Sequence, residues 1–101
     1  LLVPLAEVLY LRAELKYVTV RTREKSYLLE MSLSQLEQQY AAQFVRIHRN
    51  ALVSRQAIRG FEKQRITEGE DAGDAVWVVL MHGIPETLVV SRRHQHVIKS
   101  I

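Results

Sequence analysis

The sequence predicts a mainly β domain of small antiparallel sheets with two short helices, and three observations carry that expectation. Segments rich in β-branched and aromatic residues recur at short intervals: Glu7–Arg12 (EVLYLR), Tyr17–Thr22 (YVTVRT) and Ser26–Met31 (SYLLEM). The second alternates regularly, Val18 and Val20 against Thr19 and Arg21, which is the period-2 pattern of a half-buried strand. The links Ala13–Lys16 and Arg23–Lys25 are too short for parallel crossovers and fit hairpins, so the first three strands read as a meander.

The period then changes. Across Ser32–Tyr40 (SLSQLEQQY), Leu33, Leu36 and Tyr40 fall on one helical stripe. Ser34 with Glu37 fits a capping box at its start, and Ser32 with Gln35 fits the same device two residues earlier. A two-turn helix is marginal alone, so its stripe is expected to pack on the sheet. Ala57–Lys63 (AIRGFEK) reads as a strand with Ile58 buried and Gly60 permitting a bulge. Glu68–Asp74 (EGEDAGD) is a loop by its glycines and acids. Val76–Met81 (VWVVLM) is apolar on both faces and so reads as a central or doubly covered strand. His82-Gly83-Ile84-Pro85 turns the chain into Thr87–Val90, its hairpin partner. Ser91–Ile101 reads as a closing helix capped by Ser91, with Val97, Ile98 and Ile101 facing in.

At 101 residues the chain holds one core and folds without staples. No apolar run approaches the roughly 18–20 residues of a membrane span. Cysteine is absent, which removes disulfides and thiolate metal sites and leaves the cytoplasm as the expected compartment. The chain opens on LLVPLAEV, already strand-like and without an initiator Met, as a domain cut from a longer protein would.

Charge is unevenly placed. Between residues 44 and 65 stand Arg46, Arg49, Arg55, Arg59, Lys63 and Arg65 against Glu62 alone, whereas residues 66–90 carry Glu68, Glu70, Asp71, Asp74 and Glu86 with no Lys or Arg. The end is basic again through Arg92, Arg93 and Lys99. Such clustering points to a polyanion partner, the alternative being mutual neutralisation of the two blocks across a sheet.

Enzymatic chemistry finds little support. All Asp residues lie between 68 and 74, away from any Ser/His pair, and there is neither a G-x-S-x-G elbow nor a glycine-rich phosphate loop. His94 and His96 are two apart and His48 and His82 isolated, so no metal shell and no cofactor are expected.

Nucleic acid suits the residues better. In Phe44–Ser54 (FVRIHRNALVS) the apolar Phe44, Val45, Ile47 and Ala51–Val53 bracket Arg46, His48, Arg49 and Asn50. Arg presents a fork to phosphate or to guanine, and Asn can pair bidentately with adenine. Arg92, Arg93 and His94 repeat these types beside Val97 and Ile98. In both places apolar anchors would hold a reading loop rigid. Arg46 and His48 have a second possible use, bonding carbonyls to fix the loop itself.

Those two blocks, together with EVLYLRAELKYVTVRT before them, resemble the LytTR-type DNA-binding domain, the output module of bacterial two-component response regulators, and within it the branch of the alginate-biosynthesis regulators. The likeness runs from Pro4 to Ile101. It implies an elongated fold of small antiparallel sheets in which loops read duplex DNA. It also implies contacts at Lys16 or Tyr17 before YVTV, a principal reader at Arg49 flanked by His48 and Asn50, and a further reader at Arg93 beside Arg92. A receiver domain in the same full-length chain, repeated half-sites and a homodimer on DNA follow from the same likeness. The acidic stretch Ile66–Asp74 is longer than usual there and is expected to lie away from phosphate.

The resulting expectation is sequence-specific duplex binding that controls transcription in the cytoplasm, with no enzymatic activity. Its rival is a basic β module that meets an acidic protein partner or senses a ligand. Single-stranded RNA fits less well, because the seven aromatics lie mostly in apolar strands rather than on an open stacking platform.

Overall fold

The computed structural model describes residues 3–65 and 75–100. Among the described residues, eight strands form two antiparallel sheets. The larger contains β1 (Tyr10–Ala13), β2 (Val18–Arg21), β3 (Ser26–Leu29), β4 (Phe44–His48) and β5 (Ala51–Ser54), in the order β3-β2-β1-β5-β4. The smaller contains β6 (Ile58–Arg65), β7 (Ala75–Met81) and β8 (Thr87–Val90), with β7 central as its two-sided apolar sequence predicts. Helix α1 (Leu33–Gln39) and the short α2 (His96–Ser100) complete a body of 41 × 28 × 25 Å, elongated as expected. No described helix is long and apolar enough to cross a membrane.

Two cores flank the larger sheet, and strand alternation sorts residues between them. Leu11, Val18, Val20, Phe44 and Leu52 face α1, whose Leu33 and Leu36 cover them. Tyr10, Ile47, Ala51 and Val53 face the smaller sheet, meeting Val79, Met81, Leu88 and Val90, with Val97 of α2 closing the end. The α1 stripe therefore does pack on the sheet, which stabilises a helix too short to persist alone.

Several boundaries differ from the sequence reading. Glu7 and Val8 are not paired, because Pro4 starts a 3₁₀ turn over Leu5–Glu7 and the chain first joins the sheet at Leu9, whose N–H meets the Arg21 carbonyl at 2.8 Å. The α1 cap is Ser32 with Gln35, not Ser34 with Glu37: Ser32 is extended and its Oγ accepts the Gln35 N–H at 3.1 Å. Glu37 instead bonds Arg46. Ile58 is only half-buried, and the register shift between Ile58 and Gly60 does not need a glycine, since a Cβ at Gly60 would meet nothing. Strand β6 also runs two residues past Lys63. Gly83 is the glycine that matters: its φ of +86° turns β7 toward β8, and a Cβ there would press on Arg23.

The predicted closing helix is two pieces, a 3₁₀ turn over Arg92–His94 and then α2. Ser91 makes no side-chain cap, because its Oγ lies 2.6 Å from His94 Nδ1 instead. The expected loop Glu68–Asp74 and the inward role of Ile101 lie outside the described residues.

One polar knot ties the two sheets. Glu86, just before β8, accepts from Tyr10 Oη at 2.7 Å and bidentately from Arg21 Nε and Nη2 at 3.1 and 3.0 Å. The Arg21 fork holds the Glu86 carboxyl below its ordinary range. Burial, then the bond to Glu86, pushes the Tyr10 phenol up. A depressed carboxyl stabilises the fold above its unfolded value, about 4.5, and that contribution is lost as pH falls through the lower folded value. Replacing Glu86 by Gln is expected to cost about 1 kcal/mol at neutral pH, since the pair is partly exposed. Urea denaturation between neutral and acid pH should show the variant losing less stability on acidification than the parent.

Candidate nucleic-acid interface

Three chain segments far apart in sequence meet at one end of the larger sheet. Because β1 pairs with β5, the β1–β2 loop (Glu14–Tyr17) lies beside the β4–β5 turn (Arg49–Asn50), joined by the Ala13 N–H donating to the Asn50 carbonyl at 2.8 Å. Because β8 leads out past β4, the Ser91 N–H donates to the Ile47 carbonyl at 2.8 Å and sets the Arg92–His94 turn against β4. Lys16, Tyr17, Arg49, Asn50, Arg92 and Arg93 thus share one end face. The Tyr10–Arg21–Glu86 knot sits at the other end of β1.

The β4–β5 hairpin owes its shape to a bulge. Arg46 pairs with Leu52 and His48 with Ala51, so Ile47 is the extra residue. Strict alternation would put His48 with Phe44 and Arg46 on the α1 face. The bulge turns it to the opposite face, where it lines a groove with Val90, Ser91, Arg92 and Gln95. Neither turn residue has a positive φ, so this is not the primed two-residue turn that an Asn or Gly pair would make. The bulge supplies the freedom instead.

Arg46 and His48 brace this turn. Arg46 Nε donates to the His48 carbonyl at 2.8 Å, its Nη2 donates to the Arg49 carbonyl, and its Nη1 meets Glu37 of α1 at 2.7 Å. His48 Nδ1 accepts the Asn50 N–H at 3.3 Å. All three Arg46 nitrogens are used within the fold. Bonding of the turn, one of the two uses open to these residues, is thus present.

The exposed residues differ in kind. The Lys16, Arg49 and Arg93 side chains are exposed and have no hydrogen-bond or ion-pair partner among the described residues. Arg92 is exposed beside them. His94 is half-buried, its Nδ1 bound to Ser91.

The basic block of residues 44–65 does not act as one patch. Arg55 and Arg59 lie at the far end, near Gln43 and Met81. Lys63 and Arg65 come back to the site end, for Lys63 pairs with Trp77, which pairs with Val90, and Arg65 pairs with Ala75, which lines the same groove as His48 and Arg92. Sequence reasoning did not single these two out. Strand alternation places both on one side of β6, but only the hairpin register shows at which end they finish.

The LytTr DNA-binding domain family matches the chain over residues 1–101. The chain is 40% identical over 99 residues to the positive alginate biosynthesis regulatory protein of Pseudomonas aeruginosa, an alignment covering 92% of this chain and 35% of that protein. It therefore spans about a third of the length of that curated relative. Among solved structures it resembles the LytTr DNA-binding domain of a methyl-accepting/DNA response regulator from Bacillus cereus, with a TM-score of 0.75 and 22% identity over 97% of this chain and 83% of that one. At that identity the likeness is one of fold.

The His94 ring makes the end face pH-sensitive. Burial first, then the charges of Arg46, His96 and His48, lowers its pKa from the ordinary 6.5. The unfolded chain then takes the proton more readily, so stability is full above about 6.5 and falls as pH drops through the window below it. Between pH ~7.5 and ~5.5 the parent is expected to lose more stability than His94→Gln in urea titrations. Equal losses would assign the acid sensitivity elsewhere.

Proposed function

The chain belongs to the LytTr DNA-binding domain family, and from that membership we propose that the end face is the surface that meets duplex DNA. The observation that carries the proposal is the convergence of three distant segments, fixed by two backbone hydrogen bonds, with unpaired cations projecting from each.

Each residue then has a role. Arg49 and Arg93 are the base readers, since a guanidinium fork can pair with guanine O6 and N7. Asn50 beside Arg49 suits an adenine edge. Lys16, Tyr17 and Arg92 position the backbone through phosphate, as do Lys63 and Arg65 along β6. Arg46, His48 and His94 stand behind these and hold them in place, so their effect on DNA passes through the turn and the Arg92–His94 segment.

In the longer protein this domain is the output half of a cytoplasmic response regulator controlling transcription, with a receiver domain in the same chain. Pairs of such domains would occupy repeated half-sites as a dimer. The 40% identity to a positive regulator of alginate biosynthesis supports the regulatory reading.

Two outcomes test the proposal. On a duplex selected from a random pool, Arg49→Ala or Arg93→Ala should each weaken specific binding by about 1–3 kcal/mol and relax sequence preference, with urea stability unchanged. Wild-type affinity from either variant would remove that residue from the reading set. Affinity should also fall steeply with salt. With about five phosphates neutralised, log K against log salt should slope at roughly −4 to −5. A flat dependence would remove phosphate contacts from the roles assigned to these cations.

A further inference from the structure

We infer that Leu15 is a sequence reader whose side chain contacts the 5-methyl group of a thymine in the major groove. This rests on the DNA-binding role proposed for the end face and adds an apolar element to it.

Leu15 has 104% of its reference exposure, the highest among the exposed large hydrophobics of the described residues. The others, from Leu5 at 36% to Leu28 at 63%, each retain part of their surface against neighbours. Leu15 therefore adds nothing to either core. Nor does the turn demand it: Glu14–Tyr17 contains no positive φ and is closed by the Glu14 N–H on the Tyr17 carbonyl at 2.8 Å, a backbone bond indifferent to the side chain at the tip. A polar residue would serve such a turn better.

Its surroundings identify the partner. Leu15 stands between Glu14 and the free cation Lys16, and the groove below it is lined by Glu30, Ser32 and Gln35 as well as apolar residues. Leu15, with Tyr17 of the same loop as its exposed apolar neighbour, offers too little surface for a protein-docking patch. It is the right size for one methyl. The only apolar projection that DNA offers on its base edges is the thymine methyl, and it stands in the major groove. That groove, about 12 Å wide, admits two antiparallel strands side by side, and so the tip of the β1–β2 hairpin, the Glu14–Tyr17 loop. The bond from Ala13 to Asn50 holds the ribbon beside Arg49, so the polar and apolar readers would advance together.

The test uses duplexes that the chain selects from a random pool, with each thymine then replaced singly by deoxyuridine, which removes only the methyl group. At one position, or its repeat in a second half-site, uracil should weaken wild-type binding about fourfold, the discrimination that burying one methyl gives. Leu15→Ala should bind the thymine duplex about fourfold more weakly and be indifferent to uracil at that position. Leu15→Met should keep the discrimination. If wild type and Leu15→Ala respond alike to every replacement, or if the selected site has no thymine, the inference is overturned while DNA binding stands. If wild type enriches no duplex at all, both fall.

Discussion

Leu52 and Val53 are adjacent on β5, both fully buried, and they point to opposite sides of the same sheet. Leu52 belongs to the core under α1 and Val53 to the core shared with the smaller sheet. Each such side chain contributes about 1.5–3 kcal/mol by leaving water. A slip of one residue in β5 would exchange the two faces and break both cores at once, so the register of this strand is set from both sides. The pairing of β1 with β5 and the turn at Arg49–Asn50 follow from it. A reading surface made of loops gains its precision from a register enforced elsewhere.

Arg46 converts that register into the geometry of the turn. Its backbone sits in β4 opposite Leu52, on the face that α1 covers, and Glu37 fixes the far side of its guanidinium. The remaining nitrogens take the carbonyls of His48 and Arg49. Lysine could not do this, having no planar fork to bond two carbonyls and a carboxylate together. The ion pair with Glu37 is partly exposed and worth little as stability. What it supplies is orientation, and α1 thereby helps to position the turn through Arg46.

Much of the fold was readable in the sequence because strand alternation and short links are local signals. The meander, the central β7, the α1 stripe and the turn at Gly83 all rest on patterns within about ten residues. The misses are where two local solutions competed. Ser32 and Ser34 both fit a capping box, and the choice fell to Ser32 because Glu37 was needed by Arg46, a tertiary fact. The identities of Arg49 and Arg93 as candidates came from residue type and family resemblance. Their shared end face came only from the register of β1 on β5 and from the exit of β8. The bulge at Ile47 had no sequence signal, yet it decides which face His48 joins. Likewise the run of bases from Arg46 to Arg65 reads as one patch along the chain and is divided in space by the direction of β6.

The backbone accounting of the turn explains why DNA would meet side chains there. The carbonyls of His48 and Arg49 accept from Arg46, the Asn50 N–H donates to His48, and the Asn50 carbonyl accepts from Ala13. Four main-chain groups that an exposed turn would ordinarily leave to water, three carbonyls and one N–H, are satisfied inside the protein. The side-chain donors of this turn that have no partner among the described residues are those of Arg49 and the Asn50 amide. A recognition helix achieves the same condition through its own hydrogen bonds, with the side chains alone facing outward. This hairpin satisfies four of its turn's main-chain groups with one arginine, one histidine and a neighbouring strand. Freezing the turn before DNA arrives also lowers the ordering cost of binding, so more of each side-chain contact survives as affinity. On the proposed reading Arg46 and His48 would serve recognition through the turn that carries Arg49, while their own hydrogen bonds stay within the protein.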